Sequence, residues 1–227
     1  LDNFYVEAQV SADGHEWSTG AYATDFVQKV WPSNYGNHGL FYAAEGRWPT
    51  AAPSAGYIWD KCLEANVTYR VYGEFSFNAE KAGQPNTTKV ASLQGKFDPL
   101  FRDFDLDYLD IDRADRFIAD FNRMLGEGSL PQFMLVRLPN DHTSGTEEGK
   151  PTPKAYVGDN DLAFGMLVEA VSHSPIWNET AIFVVEDDAQ NGPDHVDAHR
   201  TIAYVISPYT RNRGTDSTFY STASMLR

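Results

Sequence analysis

Three almost uninterrupted apolar runs constrain the fold of this chain more than any other sequence feature. They are FMLVRL at residues 133–138, AIFVVE at 181–186 and IAYVIS at 202–207. Strands that are apolar on both faces are typical of parallel sheets with helices above and below. Helical patterns over 113–126 and 155–173 alternate with these strands, as βαβ units require. The pattern therefore predicts an α/β fold in which a mainly parallel central sheet carries helices on both faces.

Further predicted elements flank these runs, and two long loops separate them. Strand patterns occur at 3–8 and 68–75, helix patterns at 14–30 and 57–65, and aperiodic segments at 34–55 and 78–112. Loops of this length in α/β domains either lie over the surface or cover a site, and both interpretations stay open. We expect residues 1–227 to form a single domain.

The charge balance limits the classes of partner. The chain has 18 Lys and Arg residues against 32 Asp and Glu residues, which gives a net charge of −14. Binding to nucleic acid needs clustered cationic side chains, so we exclude nucleic acid as a partner. A small phosphate ester is compatible with this charge if metal ions supply positive charge locally. No apolar run approaches the ~18 residues of a membrane-spanning helix, so we expect no integral membrane segment.

Polar residues gather just beyond the predicted strands, where open parallel sheets bind their ligands. Ser11 lies between the first strand and the following helix, and His15 belongs to the same polar segment. Ser11 is either an N-cap or a nucleophile at a helix N-terminus, where the dipole favours a phosphoryl group. Asp141 and His142 follow the strand at 133–138 and are either turn residues or members of a functional cluster.

The segment after the strand at 181–186 is the most specific of these clusters. Asp187 and Asp188 complete a run of three carboxylates at the strand end, and His195 and His199 follow four residues apart. Adjacent carboxylates that are partly buried repel one another, and a bound cation removes that cost. Carboxylate oxygens and imidazole nitrogens suit Zn²⁺, Mn²⁺, Mg²⁺ or Ca²⁺ without distinguishing them. The segment therefore predicts a divalent metal site.

Three motifs together resemble a known family. They are VSADGHEW at 10–17, PNDHTSG at 139–145 and TAIFVVEDDAQNGPDHVDAHR at 180–200. They are similar to the bacterial phosphoesterase family, which includes phospholipase C-type and acid phosphatase enzymes within the alkaline phosphatase superfamily. The likeness extends over most of the chain.

The resemblance implies an alkaline phosphatase-like fold and metal-dependent hydrolysis of small phosphate esters through a phosphoserine intermediate. It implies a periplasmic or secreted location. Ser11 matches the nucleophile, and we name Ser11 and His15 as the catalytic residues. The implied metal ligands are Asp141, His142, Asp187, Asp188 and, as the last imidazole, His195 or His199.

Several features depart from the family's pattern. The wider superfamily separates the Asp and His of the first cluster by several residues, and many relatives carry Asp-His where this chain has Asp187 and Asp188. The first strand and the first ligand pair, an acidic residue followed by Asn, are expected upstream of residue 1. Because the chain opens on the strand pattern LDNFYVEA and ends within the helix pattern STASMLR, we expect it to be cut at both ends.

Two alternatives stay open. One is a degenerate, non-catalytic binding domain of the same type. The other is a sulfatase or phosphonate hydrolase on the same scaffold. It is disfavoured because Ser11 precedes Ala-Asp-Gly and not the Cys/Ser-x-Pro-x-Arg context of sulfatases.

Overall fold

A computed structural model describes residues 1–35, 38–39, 42–189, 199–210 and 215–227, which form a mixed α/β fold. The helices are α1 (Ser11–Gly20), α2 (Asp25–Val30), α3 (Ile58–Glu64), α4 (Asp110–Glu127), α5 (Pro153–Ser172) and α6 (Thr222–Leu226). The strands are β1 (Phe4–Tyr5), β2 (Tyr69–Tyr72), β3 (Phe133–Val136), β4 (Ile182–Val185), β5 (Ala203–Ile206) and β6 (Tyr220–Ser221). The chain divides into two compact units: unit 1 contains residues 1–61 and 177–227, and unit 2 contains residues 62–176. The single-domain assignment stays a prediction.

Unit 2 is built on a parallel pair of strands. β2 and β3 pair in parallel, with Tyr69 opposite Phe133 and Tyr72 opposite Val136. α4 and α5 pack against each other. α4 ends at Gly128, whose φ of 67° is the left-handed conformation that glycine adopts without a steric penalty. The parallel pairing predicted for the strand at 133–138 is confirmed within this unit.

The interior of unit 2 contains an aromatic cluster and a buried arginine. The ring of Tyr72 lies edge-on to Phe101 and Phe117, with centroid distances of 5.6 and 5.0 Å. Arg113 of α4 is fully buried, and its guanidinium donates to Asp110 Oδ1 at 2.9 Å. The same guanidinium donates to four backbone carbonyls of the loop before α4, those of Arg102, Asp103, Asp105 and Tyr108. The Arg113 guanidinium therefore anchors residues 102–108, which belong to the aperiodic segment predicted at 78–112.

Unit 1 contains two small sheets. β1 pairs in parallel with β6, so that Phe4 lies opposite Tyr220. β4 pairs with β5 in the antiparallel direction, with Ile182 opposite Ile206 and Val185 opposite Ala203. Among the described residues, two of the three two-stranded sheets are parallel and one is antiparallel. The larger, mainly parallel central sheet stays a prediction.

The antiparallel pairing of β4 and β5 corrects the expected direction of this pair. Phe183 is 56% exposed and Tyr204 is 48% exposed, so these apolar runs are not covered on both faces. The prediction failed because apolar composition does not encode strand direction: antiparallel pairs accept the same β-branched and aromatic residues.

The prediction of one continuous helix over 14–30 is wrong, because the structure has two separate helices there. α1 ends at Gly20, and Ala21 adopts a left-handed φ of 51° while its N–H bonds to the carbonyl of Trp17. α2 then starts afresh after Thr24, whose hydroxyl accepts from the N–H of Val27 at 3.3 Å. A left-handed cap followed by a new N-cap ends one helix and begins another.

Among the described residues, no helix combines the length and the apolar character needed to cross a membrane.

Candidate active site

The N-terminus of α1 fixes the position of Ser11. The N-cap is Val10, which is extended, and its N–H donates to Asp13 Oδ1 at 3.1 Å. Asp13 is buried and also accepts from Gln28 Nε2 at 2.9 Å. Ser11 is therefore the first residue of the helix and not its N-cap. Its position at the positive end of the helix dipole suits an anionic group.

The Ser11 hydroxyl meets a carboxylate from the turn after β4. Ser11 Oγ donates to Asp188 Oδ2 at 2.8 Å. Two residues of the predicted site, 177 positions apart in the sequence, are thus in direct contact. A carboxylate at this distance orients the hydroxyl and can accept its proton.

Gly14 brings this turn against the helix. A β-carbon at position 14 would lie 2.3 Å from the backbone oxygen of Asp187 and 2.7 Å from its carbonyl carbon. Both atoms belong to the main chain, so no side-chain rotation could relieve the overlap. Only glycine allows α1 and the turn to approach this closely.

Tyr35 is a member of the site that the sequence did not indicate. The backbone N–H of Ala12 donates to the Tyr35 hydroxyl at 3.0 Å. The ring is held edge-on by Trp31, with a centroid distance of 5.8 Å. Burial, and to a smaller extent the charges of Asp188 and Asp187, raise the pKa of Tyr35 to about 12, although the bond from Ala12 acts in the opposite direction. The hydroxyl therefore keeps its hydrogen at neutral pH.

His15 lies buried between two carboxylates. Its Nε2 is 2.9 Å from Glu45 Oε1 and 3.5 Å from Asp187 Oδ2. Because ionised carboxylates only accept, Nε2 carries a hydrogen. Glu45 is buried and has a left-handed φ of 54°, which is costly for a residue with a side chain. The sequence analysis missed Glu45 because this residue lies in an aperiodic loop. Neither hydrophobic periodicity nor a position after a strand indicates its contact with His15.

The three consecutive carboxylates after β4 each face a different donor. Glu186 Oε2 accepts from the Thr201 hydroxyl at 2.5 Å, Asp187 faces His15, and Asp188 accepts from Ser11. Burial raises the pKa of Glu186; the Thr201 bond lowers it, and the Asp187 charge raises it further. Each carboxylate therefore has a polar partner of its own, although the Asp187 charge still acts on Glu186.

The structure places the remaining predicted ligands as follows. His199 lies in unit 1, where its backbone carbonyl accepts from Val6 N at 2.8 Å and its Nδ1 lies 3.0 Å from the Val6 carbonyl. His195 lies outside the described residues. Asp141 and His142 lie in unit 2, on a short 3-10 turn that spans Asn140–His142. The site of unit 1 thus contains Ser11, His15, Asp187 and Asp188.

The turn that carries Asp141 and His142 is anchored through its first residue. Asn140 is fully buried; its N–H donates to Asp110 Oδ2 at 2.9 Å and its Nδ2 to Asp159 Oδ2 at 2.7 Å. His142 is exposed, with Nδ1 3.0 Å from the Thr143 carbonyl. The turn is therefore fixed to α4 and α5, while the imidazole is accessible.

The turn after β4 supplies some of the ligands that a divalent cation needs. Asp187 Oδ2 is buried, and within the described part of the chain it has no hydrogen-bond partner, although His15 Nε2 lies nearby. Two carboxylates and the Ser11 oxygen are hard ligands of the kind that Mg²⁺, Mn²⁺, Zn²⁺ and Ca²⁺ accept. No group of three or more His, Cys, Asp or Glu side chains among the described residues could hold a metal ion. The metal and its full ligand set stay predictions.

Comparison with known proteins gave one match. The family model described as "Phosphoesterase family" matches residues 11–227, so the match begins at Ser11 itself. The searches of curated proteins and of solved structures found no match.

Proposed function

Because the chain belongs to the Phosphoesterase family, we propose that it is a hydrolase of small phosphate esters that uses Ser11 as its nucleophile. The observation that carries this proposal is the contact between Ser11 Oγ and Asp188 Oδ2 at the N-terminus of α1. A hydroxyl beside a carboxylate, at the end of a helix that favours anions, is an arrangement suited to phosphoryl transfer.

The proposed reaction has two steps. In the first, Ser11 Oγ attacks phosphorus, the bond to the ester oxygen breaks, and the serine proton ends on the departing alcohol. Asp188 is placed to accept that proton on the way. In the second, water attacks the phosphoserine, phosphate leaves, and the serine hydroxyl is restored. Monoesters fit this scheme as written, and diesters fit it with a phosphate monoester released in the second step in place of phosphate.

His15 is proposed as the second catalytic residue. Its Nε2–H lies between Glu45 and Asp187, next to the turn that carries Asp188. Glu45 accepts the Nε2 hydrogen and fixes the ring, as the orienting carboxylate does at one ring nitrogen in other His-dependent hydrolases. The proton transfer that we propose for His15 is therefore assigned to the other ring nitrogen, Nδ1.

A divalent metal ion is part of the proposal. Asp187 and Asp188 of unit 1 would hold it, with one further imidazole as a candidate, while the ligand roles of Asp141 and His142 in unit 2 stay predictions. Zn²⁺, Mn²⁺ and Ca²⁺ are not distinguished by these ligands. When bound, such an ion supplies the positive charge that this acidic chain needs to hold a phosphoryl group.

His199 is the better supported of the two candidate imidazoles. Its Nδ1 lies 3.0 Å from the Val6 carbonyl, and a carbonyl only accepts, so Nδ1 carries the hydrogen. In this tautomer Nε2 would be the ligand nitrogen, an arrangement that second-sphere carbonyls commonly favour for metal-bound imidazoles. His195 stays the alternative. A periplasmic or secreted location completes the proposal and rests on the resemblance alone.

Hydrolysis of p-nitrophenyl phosphate and of its bis-ester tests the function. We expect turnover that EDTA removes and that added Mn²⁺, Zn²⁺ or Ca²⁺ restores. Ser11→Ala should lower kcat at least about 10³-fold, because the covalent step is lost. Ser54→Ala, at an exposed serine of unit 1, is the matched control and should keep full activity. Full activity of Ser11→Ala would refute the assignment of Ser11 as the nucleophile.

Metal binding is tested separately by calorimetric titration of the EDTA-treated protein. Asp187→Asn should weaken the binding of the activating ion, while Asp25→Asn, at an exposed carboxylate of α2, should not. Equal affinity in the unaltered protein and in Asp187→Asn would exclude Asp187 as a ligand.

A further inference from the structure

The loop after α2 contains a turn that presents Glu45 to His15. Glu45 and Gly46 have left-handed φ values of 54° and 66°, and the N–H of Arg47 donates to the Ala44 carbonyl at 3.2 Å. Positive φ at both central residues is the signature of a type I′ turn, in which Gly, Asn and Asp are the usual residues. A glutamate at this position is strained, and backbone strain of this kind clusters at functional sites.

Two donors meet at one oxygen of Glu45. The Tyr42 hydroxyl donates to Glu45 Oε1 at 3.2 Å, and His15 Nε2 lies 2.9 Å from the same oxygen. A carboxylate oxygen has two lone pairs, so it accepts both hydrogens at once. A hydroxyl that holds this buried oxygen in place therefore also limits where the imidazole hydrogen can point.

The ring of Tyr42 is held within the same loop. The Arg47 guanidinium lies over it, with Cζ 5.4 Å from the ring centroid, which is within the range of a cation–π contact. Arg47 is exposed, whereas Glu45 is buried. The contacts thus run from an exposed cation through an aromatic ring to a buried carboxylate, and the imidazole of His15 lies at their end.

We propose that Tyr42 is a positioning residue, which acts through Glu45 to hold the imidazole of His15 in the direction that the reaction requires. The inference rests on the proposed function, because it assumes that His15 transfers a proton through Nδ1. The segment 34–55, which the sequence predicts either to lie over the surface or to cover a site, then has the second role over residues 42–47.

The Tyr42 hydroxyl affects proton transfer through the position of a charge. A carboxylate that is already fixed beside Nε2–H stabilises the charge that the ring gains during the transfer, because no reorganisation is needed at that moment. Without the hydroxyl, the Glu45 side chain can rotate away from Nε2. A smaller fraction of molecules then holds the ring correctly when the proton moves.

Tyr42→Phe tests this role, since it removes the hydroxyl and keeps the ring beneath Arg47. With p-nitrophenyl phosphate, kcat and kcat/KM should fall equally, by about 3- to 10-fold, which corresponds to one ordinary hydrogen bond, and KM should stay unchanged. The same substitution in a His15→Gln background should cause no further loss, because no imidazole is left to position. Tyr22→Phe, at an exposed tyrosine, is the matched control and should change none of these values.

The order of the imidazole is measured independently of activity. In ¹H–¹⁵N spectra that select imidazole groups, the His15 Nε2–H signal is identified by its shift in Glu45→Gln, so the measurement applies even if His15→Gln does not fold. Tyr42→Phe should shift this signal and make its hydrogen exchange faster with water, because Glu45 is held less firmly. Tyr22→Phe should leave the signal and its exchange rate unchanged.

The outcomes separate this inference from the proposed function. An unchanged kcat in Tyr42→Phe overturns the role of Tyr42, and so does an unchanged His15 signal. An equal loss with and without His15 overturns it as well, because a residue that only packs the loop acts in both backgrounds. An active Ser11→Ala, or absence of turnover with every metal, refutes the proposed function instead. The catalytic role of Tyr42 then falls with that function, and the spectrum alone decides whether Tyr42 orders His15.

Discussion

Both units contain carboxylates that are buried or partly buried, but these carboxylates meet different partners. In unit 2, Asp98 accepts from Arg70 and Arg116, and Asp110 accepts from the fully buried Arg113. In the turn after β4 of unit 1, the carboxylates face two hydroxyls and one imidazole. Fixed guanidinium groups neutralise the first set, so its charge is used in holding unit 2 together. Hydroxyl and imidazole partners supply no guanidinium to the second set, which is why we propose these carboxylates for cation binding and proton transfer.

The contrast predicts that neutralising a carboxylate of the β4 turn costs activity and not stability. Asp188→Asn should lower kcat/KM about 10³-fold, because the amide cannot accept the Ser11 proton. Its free energy of unfolding should change by less than ~1 kcal/mol, since one like charge is removed from a crowded turn. Hydrolysis of p-nitrophenyl phosphate and urea unfolding measure the two quantities. If Asp188→Asn lowered the free energy of unfolding by as much as it raised the activation free energy of hydrolysis, the proposed difference between the two regions would be wrong.

The opposite result is expected from the buried cation of unit 2. Arg113→Met should lower the free energy of unfolding by about 3–5 kcal/mol, because Asp110 is left charged in a buried position. The double variant Arg113→Met with Asp110→Asn should lose less than the sum of the single changes. Lys29→Met, at an exposed lysine, serves as the control for urea unfolding. Additive single changes would mean that Arg113 and Asp110 are not coupled.

A smaller and pH-dependent effect is expected at Asp120 of α4. Burial raises the pKa of Asp120, but the bonds from Arg123 and Tyr72 and the Arg70 guanidinium outweigh it, so that the pKa lies below its ordinary value. A depressed folded-state pKa contributes stability above the unfolded value of ~3.9, and the contribution is lost as the pH falls through the folded value.

Asp120→Asn tests this contribution by urea unfolding across the acidic range. The unaltered protein should exceed the variant by about 1 kcal/mol near neutral pH, and the difference should shrink as the pH falls below ~3.9. If the difference in the free energy of unfolding between the two proteins stayed constant as the pH fell well below ~3.9, the stabilisation would not depend on ionised Asp120.

Much of the local structure was predictable because it depends on neighbours in the sequence. The helix patterns at 57–65, 113–126 and 155–173 are confirmed as α3, α4 and α5, since helix periodicity is a local property. The break after Gly20 was missed although Thr24 and Asp25 form a recognisable start for α2. The helix pattern continued across that boundary and concealed it.

The candidate site was predictable only where residues follow strands. Ser11 and Asp188 were both found in this way, and the structure brings them into contact. Tyr35 and Glu45 were missed because their roles depend on how an aperiodic loop folds back onto α1. Such contacts follow from tertiary packing, which leaves no periodic signal in a single sequence.

The close approach at Gly14 has a consequence for how this site could be altered. The nucleophile and the carboxylate turn are spaced by contact between two main chains, so their separation does not depend on any side-chain conformation. Reshaping the site for a bulkier ester therefore cannot widen this side without displacing α1 from the turn. Room for a different substrate has to come from other contacts, such as those of Tyr35 and Glu45, which the loop after α2 supplies.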